Sequence, residues 1–449
     1  MKKGFTLIEL LAVILILGII ALIAIPTVNN ILKEARMGAF KSGCDNIMKS
    51  MEEACQTSLI RNEKPVLLYT FIDKNLNNQL EIKGTLPDDG YVILDNNCAV
   101  TDFYLSDNNN TYSKGEDVRK DYMLKAPIEA GKSIFQTMYP SYYSNIKKVN
   151  FVSNLNIPNN AIEIKDPSVS ENGKIKSWLI PNESNYDLYI GSENNIYGNY
   201  NSQFLFAYLN NVESFNFNNF KTNFINDMTF LFRECELVTN LNVNNFEVSN
   251  VTTLKGTFFK CNNLAKIDLS NWNTKNVTDM SMLFSSSIDY FSNVESINLN
   301  NWNTDKVIDM SNMFYNCHKL KSINLSSFNT SNVTEIYSMF HHCKSLVYLD
   351  LSNFDTSKVT NFTNFLVNCN SLKTLKIDNF KVTNVNDFMN MMAACTTLDT
   401  IYLNNVNTLN ALQQYFPDRS SFTTGVIIVK GDKTGIDTDS LAAKNWIIS

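Results

Sequence analysis

The sequence predicts an α+β chain: one long N-terminal helix with a small β region, then a parallel β solenoid of stacked repeats. Three observations predict it. An apolar run over residues 5–25 passes into helical periodicity that lasts to about residue 59; four short alternating stretches lie between residues 65 and 112; and one phrase recurs through the second half at 26-residue steps. Apolar spacing near 3.6 residues marks a helix and spacing of two marks a strand. A fixed period of this length marks units that bury their apolar faces only by stacking.

Composition bounds the function. With 449 residues, 44% of them hydrophobic, the chain has material for about three domains. Its 38 basic and 44 acidic residues leave a net charge of −6, so the surface as a whole repels phosphate backbones and no nucleic-acid partner is expected. Nine cysteines are too few for a disulfide scaffold, and the three histidines, His318, His341 and His342, offer no histidine-rich metal site. No metal or other cofactor is expected.

The amino terminus reads MKKGFTLIELLAVILILGIIALIAIPTVNNILKEAR, and the run from Phe5 to Ile25 is interrupted only by Thr6 and Glu9. As a helix this run spans about 31 Å, enough to cross a bilayer core. Lys2 and Lys3 precede it, so the positive-inside bias leaves the start cytoplasmic and exports the chain beyond Pro26. A cleaved secretory signal fits less well, because its apolar core is shorter and seldom holds a carboxylate. Glu9 costs a few kcal/mol in such a segment unless a cation meets it.

The residues Gly4-Phe5-Thr6-Leu7-Ile8-Glu9 resemble the processing and assembly motif of type IV prepilins. The resemblance implies a leader of residues 1–4, cleavage by prepilin peptidase between Gly4 and Phe5, N-methylation of Phe5, and a transmembrane and assembly helix over 5–60. It also implies that Glu9 of an incoming subunit pairs with the free amine of Phe5 on its neighbour, and that the helices pack as a filament core. Such a core keeps buried what the bilayer buried before assembly. Pro26 falls where pilin helices commonly bend, and there it would kink the helix rather than end it.

Beyond Thr27, apolar residues recur at helical spacing, among them Ile31, Leu32, Phe40, Ile47, Met48 and Met51. Cys44 and Cys55 on this helix are about 16 Å apart and cannot bond to each other. Either could reach Cys98, and free thiols are the alternative. Residues 61–132 form the small β region, with strands expected in VLLYTFI, LEIKGTL, YVILD and CAVTDFYL and a connection over 114–132. It is similar to a pilin head in layout alone.

In the second half, NWNTKNVTDMSMLFSSS, NWNTDKVIDMSNMFYNC, SFNTSNVTEIYSMFHHC and NFDTSKVTNFTNFLVNC are one pattern. Aromatic anchors at Phe220, Phe246, Trp272, Trp302, Phe328, Phe354 and Phe380 are 26 residues apart except for one step of 30, which marks an insertion around Ile288 to Phe291. Each unit carries an apolar pair with one residue between, such as Ile267 and Leu269 or Leu349 and Leu351. These read as short strands with one inward face, stacked in one parallel sheet. The V-x-x-M-x-x-M-F segment is expected to return on the opposite side as a short helix or turn.

This pattern resembles the BspA-like leucine-rich repeats of bacterial surface proteins, which are mostly adhesion or interaction proteins. The resemblance covers residues from about 139 to the end and implies a lead-in and N-terminal cap over 133–212, leucine-rich repeats over 213–403 and a C-terminal cap over 404–449. The period is expected to fail after Leu403. The fold class then becomes α+β with a long N-terminal pilin helix, a small β region and a leucine-rich-repeat-type parallel β solenoid.

Residues between the apolar pairs point away from the core: Asn216, Asn242, Asp268, Asn298, Asn324, Asp350, Lys376 and Tyr402. They form the candidate ligand face, since solenoids commonly bind there; an amide ladder bonded along the stack is the structural alternative. Cys235, Cys261, Cys317, Cys343, Cys369 and Cys395 share one register and are expected as buried thiols acting as small apolar residues. The histidines are expected in solvent, with His341 and His342 on different sides of a helix.

Together these features predict a type IV pilin-like filament subunit, minor or at the tip, whose repeat head serves adhesion or protein binding. A head of this size on every subunit would crowd neighbours packed through their helices. The expected partners are prepilin peptidase, other pilin subunits, the membrane before assembly, and an unknown surface or protein ligand. The expected location is the cytoplasmic (inner) membrane as a single-pass precursor, then an extracellular filament or the cell surface. The alternative is a non-polymerising membrane-anchored surface protein or a pseudopilin of a secretion or uptake system. No Ser/His/acid triad, phosphate loop, HExxH or CxxC pair appears, so no enzyme is expected.

Overall fold

The computed structural model describes the chain apart from residues 1–6, 62–67, 73–74, 77–79, 81–85, 88, 95–96, 107–110, 114–118, 127–130, 288, 422 and 431–432, and gives residues 7–33 as helical backbone. Helix and sheet are both present, and the chain divides into two compact units, Met1–Asp117 and Val118–Ser449. The division falls ahead of the expected boundary at 133. Met123 and Leu124 bridge to Tyr197 and Ser168, so the stretch expected as a connection begins the second unit.

In the first unit, helix α1 (Leu7–Ile60) runs unbroken past Pro26. A meander comes next: β1 (Leu68–Ile72), β2 (Asn75–Leu76), β3 (Asp89–Leu94), β4 (Val100–Ser106) and β5 (Thr111–Ser113), antiparallel in the order β2-β1-β3-β4-β5. The expected strand LEIKGTL falls mostly outside the described residues. One face of α1 is buried at Cys44, Ile47, Met48, Met51 and Cys55, spacing that keeps side chains on one side of a helix. They meet Phe71, Val92, Leu94 and Leu105 of the sheet. Cys55 forms a disulfide with Cys98 across a Cα–Cα distance of 5.6 Å, while Cys44 lies in the same apolar cluster. Glu52 accepts from the Val100 amide at 3.1 Å and Gln56 donates to the Asn97 carbonyl at 2.8 Å, so the helix also satisfies backbone at the sheet's turn.

In the second unit, short helices at Arg119–Tyr122 and Ile134–Met138 precede the strands β6 (Ile146–Val152), β7 (Ile162–Lys165), β8 (Lys176–Asn182) and β9 (Asn185–Gly191). The first repeat strand, Ser214–Asn216, pairs parallel with β6, so this sheet covers the first repeat. Successive repeats then lie side by side. Lys266–Asp268 pairs parallel with Ser296–Asn298, and Tyr348–Asp350, Thr374–Lys376 and Thr400–Leu403 pair in turn. A second column of parallel bridges runs along the other side, linking Asp227, Thr253, Asp279, Asp309, Glu335, Asn361 and Asp387.

The return segment is a series of tight turns, and its backbone explains why it is not helical. Residues four apart take positive φ in repeat after repeat, as at Asn312 (56°) and Asn316 (62°) or Asn364 (56°) and Asn368 (58°). A right-handed helix cannot pass through such a residue. Gly256 holds the equivalent place, and a Cβ there would lie 2.2 Å from Phe230 Cε1.

Three ladders bind repeat to repeat. The threonine of the Asn-Thr phrase is buried and works in both directions: Thr304 Oγ1 donates to the Asn329 carbonyl and accepts from the Asn329 amide, each at 2.8 Å. Thr222 and Thr356 do the same toward Glu247 and Lys381. Aromatic anchors stack in register, with Trp272, Trp302, Phe328 and Phe354 at 6.4, 6.4 and 6.5 Å between successive centroids. The thiols of Cys261, Cys343 and Cys369 donate at 3.2 Å to the carbonyls of Phe232, Phe314 and Phe340, one repeat back. These cysteines are therefore hydrogen-bond donors between units, beyond the apolar filling expected of them.

The expectation that the period ends at Leu403 is corrected. Ile401 pairs with Ile427, the same 26-residue step, in the parallel strand Gly425–Val429, and Trp446–Ile448 adds one more parallel strand. What changes is the return path, where a helix over Val406–Leu412, capped by Asn405, replaces the turns. Buried Trp446 closes the core, packed so tightly on Gly425 that a Cβ there would lie 2.4 Å from the indole.

Candidate functional site

Residues 1–6 lie outside the described residues, so the cleavage and methylation positions Gly4 and Phe5 receive no structural account; Glu9 falls on the backbone of α1. Among the described residues no helix is long and apolar enough to cross a membrane, and the side chains of the run over 5–25 that carries that expectation lie outside them.

The eight residues of the candidate ligand face reach the surface. Inward neighbours such as Leu241, Ile267, Ile297, Leu349, Leu375 and Ile401 are buried, so strand alternation forces the residue between to face out. Asn216, Asn242, Asp268 and Asn324 are exposed, while Asn298, Asp350, Lys376 and Tyr402 are half-buried. Among the described residues no continuous ladder of amides runs along the face, although the Asn298 side chain bonds to Asp268 one repeat back. Each Oδ1 turns back on its own chain instead: Asn242 accepts from the Asn244 amide at 3.2 Å, Asn298 from Asn300 at 3.2 Å and Asn324 from Ser326 at 3.1 Å. These are Asx turns that end the strands. A cross-repeat bond on this face runs from Asn324 Nδ2 to Asn300 Oδ1 at 2.9 Å.

Two regions of this face differ in chemistry. One is a hollow of about 490 Å³ floored by the backbone around Leu241 and Ile267 and rimmed by Asn242, Asn244, Lys266, Asp268, Ser296 and Asn298. Asp268 is held below the usual carboxylate range, first by the Ser270 amide and then by the Ser270 hydroxyl, which donate at 3.0 and 2.7 Å. Lys266 stands on the same rim, so the hollow presents amides, a hydroxyl and one charge of each sign.

The other is a compact cluster at Tyr348, Asp350, Lys376 and Tyr402. Tyr348 Oη donates to Asp350 Oδ2 at 2.8 Å, and Lys376 Nζ lies 3.4 Å from the same oxygen. That ammonium also lies 5.5 and 5.4 Å from the Tyr348 and Tyr402 ring centroids, a double cation–π contact. Burial works against the Asp350 charge, but bonds from Ser352 and Tyr348 and the Lys376 charge prevail and bring its carboxyl down to about 2. Sequence reasoning missed Tyr348; the signal was its place two residues before Asp350, on the same strand face.

The histidines are half-buried rather than fully in solvent as expected. The segment is a turn, and stacked repeats bring His318 to within 5.9 Å of His342 although they belong to different units. Burial pushes His318 and His341 down to about 4. Burial also drives thiol values up, to about 12 at Cys261 and Cys317, so these cysteines are protonated and unreactive.

Comparison with known families gives two matches. The family described as "Prokaryotic N-terminal methylation motif" matches residues 1–25, and "Mycoplasma protein of unknown function, DUF285" matches residues 201–299 and again 286–406. No curated protein matches the chain, and no solved structure does. The first match supports a type IV pilin-like or pseudopilin amino terminus, with processing by prepilin peptidase and a membrane-inserted precursor. The second is compatible with a surface repeat domain.

Proposed function

We propose that this chain is a type IV pilin-like subunit, minor or at the filament tip, whose leucine-rich-repeat-type solenoid serves adhesion or protein binding outside the cell. The observation that carries the reading is the methylation motif over residues 1–25 with Glu9 set in its apolar run. In this reading Gly4–Phe5 is the cleavage site, Phe5 becomes the methylated terminus, and Glu9 meets that amine on a neighbouring subunit during assembly. The helix over 5–60 is the anchor and then the polymer contact, and the repeat head runs from 213 through the parallel strand Gly425–Val429. The Cys55–Cys98 disulfide supports export, because such bonds persist in oxidising compartments. The parallel pairing at 26-residue steps supports the solenoid, and the outward face from Asn216 to Tyr402 is its binding surface.

The test is Glu9→Ala in the native host. The variant is expected at wild-type amounts in the membrane and absent from the filament fraction released by shearing. Wild-type protein that never enters the sheared fraction would instead make the chain a non-polymerising pseudopilin. A mature protein that still begins at Met1 by mass spectrometry would refute both.

A further inference from the structure

The chain has three histidines, and the stacking of repeats gathers all of them beside the four-residue insertion. The His318 ring lies on Phe291 of that insertion, with 3.8 Å between centroids. The His341 ring lies on Tyr315 at 4.7 Å, and His342 stands edge-on to His341 at 4.2 Å. Phe291 and Tyr290 are otherwise exposed, 49% and 55%. The base of the loop is held by ordinary hydrogen bonds, Asn316 Nδ2 to the Ser287 carbonyl at 2.8 Å and the Ser292 amide to the Asn316 carbonyl at 3.2 Å. Within the loop the Tyr290 amide donates to the Ser287 carbonyl at 3.2 Å and Ser286 Oγ to the Tyr290 carbonyl at 2.6 Å, while the Phe291 ring is held by its stack on His318.

Two ring nitrogens decide what acid does to this arrangement. His318 Nε2 and His341 Nδ1 are buried with no hydrogen-bond partner among the described residues. A neutral imidazole needs a partner for one N–H; an imidazolium carries two N–H donors and a full charge. The charged groups facing the rings are all of one sign: Lys344 acts on His318 and His342, the rings act on one another, and no carboxylate is among the groups whose charge reaches them. Lys344 Nζ also sits 5.5 Å from the Phe291 centroid. The uncharged polar neighbours are Tyr315 on His341 and Asn368, whose Nδ2 is 2.6 Å from His342 Nε2.

We propose that the imidazole cluster is an acid-operated latch: neutral rings hold Phe291 against the repeat stack, and protonated rings release the tip of the insertion to solvent. Insertions in stacked-repeat proteins map to loops on one face, often the binding face, so acid changes the surface offered there. Burial first, and then neighbouring positive charge, hold His318 and His341 down to about 4 in the closed state. The released state titrates near 6.5 and so binds more protons in between. The latch is therefore fully closed above about 6.5 and is lost as pH falls through about 4.

The test uses the full chain in detergent micelles and reads backbone hydrogen exchange over residues 286–287 and 289–293, corrected for the intrinsic pH dependence of exchange. Between about pH 7 and about pH 4 the wild-type loop is expected to lose protection by about tenfold or more, while residues 394–397, an equivalent insertion-free turn clear of the histidines, keep theirs. In the double variant His318→Gln with His341→Gln the loop's protection no longer changes with pH. Because that variant can disturb packing, ring-carbon NMR of the wild type gives a second reading, with two of the three midpoints expected below about 5. Loop protection that is the same at both pH values, an equal loss in the double variant or at 394–397, or three midpoints near 6.5 would each overturn the latch.

Discussion

Replacing Thr304 by valine removes one hydroxyl and keeps the shape. The side chain is 1% exposed, and its oxygen makes two 2.8 Å bonds to the backbone of the next repeat, one to the Asn329 carbonyl and one from the Asn329 amide. A net contribution of about 1 kcal/mol per bond, with a further penalty for the half-buried backbone groups left behind, gives a cost of about 2–3 kcal/mol. Repeats that touch only their neighbours confine such a loss, so the amide of Asn329 should exchange about 30- to 150-fold faster while distant repeats are unchanged. Thr334→Val is the control, because its hydroxyl reaches the Ile308 carbonyl at only 3.5 Å and should cost less than about 0.5 kcal/mol. Exchange at Asn329 within about threefold of wild type, or equal costs for the two variants, would refute the view that the threonine ladder joins the repeats.

The same contacts set further outcomes. Removing the disulfide with Cys55→Ser and Cys98→Ser, whose sequence separation is 43, should destabilise the first unit by up to about 4 kcal/mol, read as faster exchange over residues 47–55. Buried thiols such as Cys261 and Cys317, pushed up to about 12, should resist alkylation in native protein and react fully once it is unfolded; rapid native labelling counts against their burial. Gly256→Ala, at φ +56° and against the Phe230 ring, should cost about 1–2 kcal/mol in chemical denaturation. Lys376→Met should raise the Asp350 carboxyl from about 2, as tracked by carboxyl NMR. Asp350 is depressed in the folded state, so its contribution is present above about 3.9 and lost as pH falls through about 2; the variant should lose it at higher pH.

Much of the chain was legible because its signals are local. Strand alternation alone located all eight outward residues from Asn216 to Tyr402, and the Asn-Thr phrase located the anchors. The Asx turns at Asn242 and Asn298 were not legible as such, because a side chain that bonds two residues ahead leaves the same outward mark as one that bonds along the stack. The return turn was also ambiguous, since M-F-x-x-C fits a helix until positive φ at Asn312 and Asn316 ends that option. Period counting stopped at Leu403 because the return segment changed, although the strand at Ile427 kept the step.

The amino-acid sequence by itself determined the helix register, the 26-residue period and the amino-terminal motif, because each depends on residues near one another along the chain. Only the tertiary structure decided that Cys55 and not Cys44 bonds to Cys98, since both lie on one helix and the choice rests on which turn faces the sheet. It alone decided that three histidines from two repeats share one cluster under an inserted phenylalanine. Contacts across repeats depend on how the units stack, and stacking distance is not written in spacing along the chain.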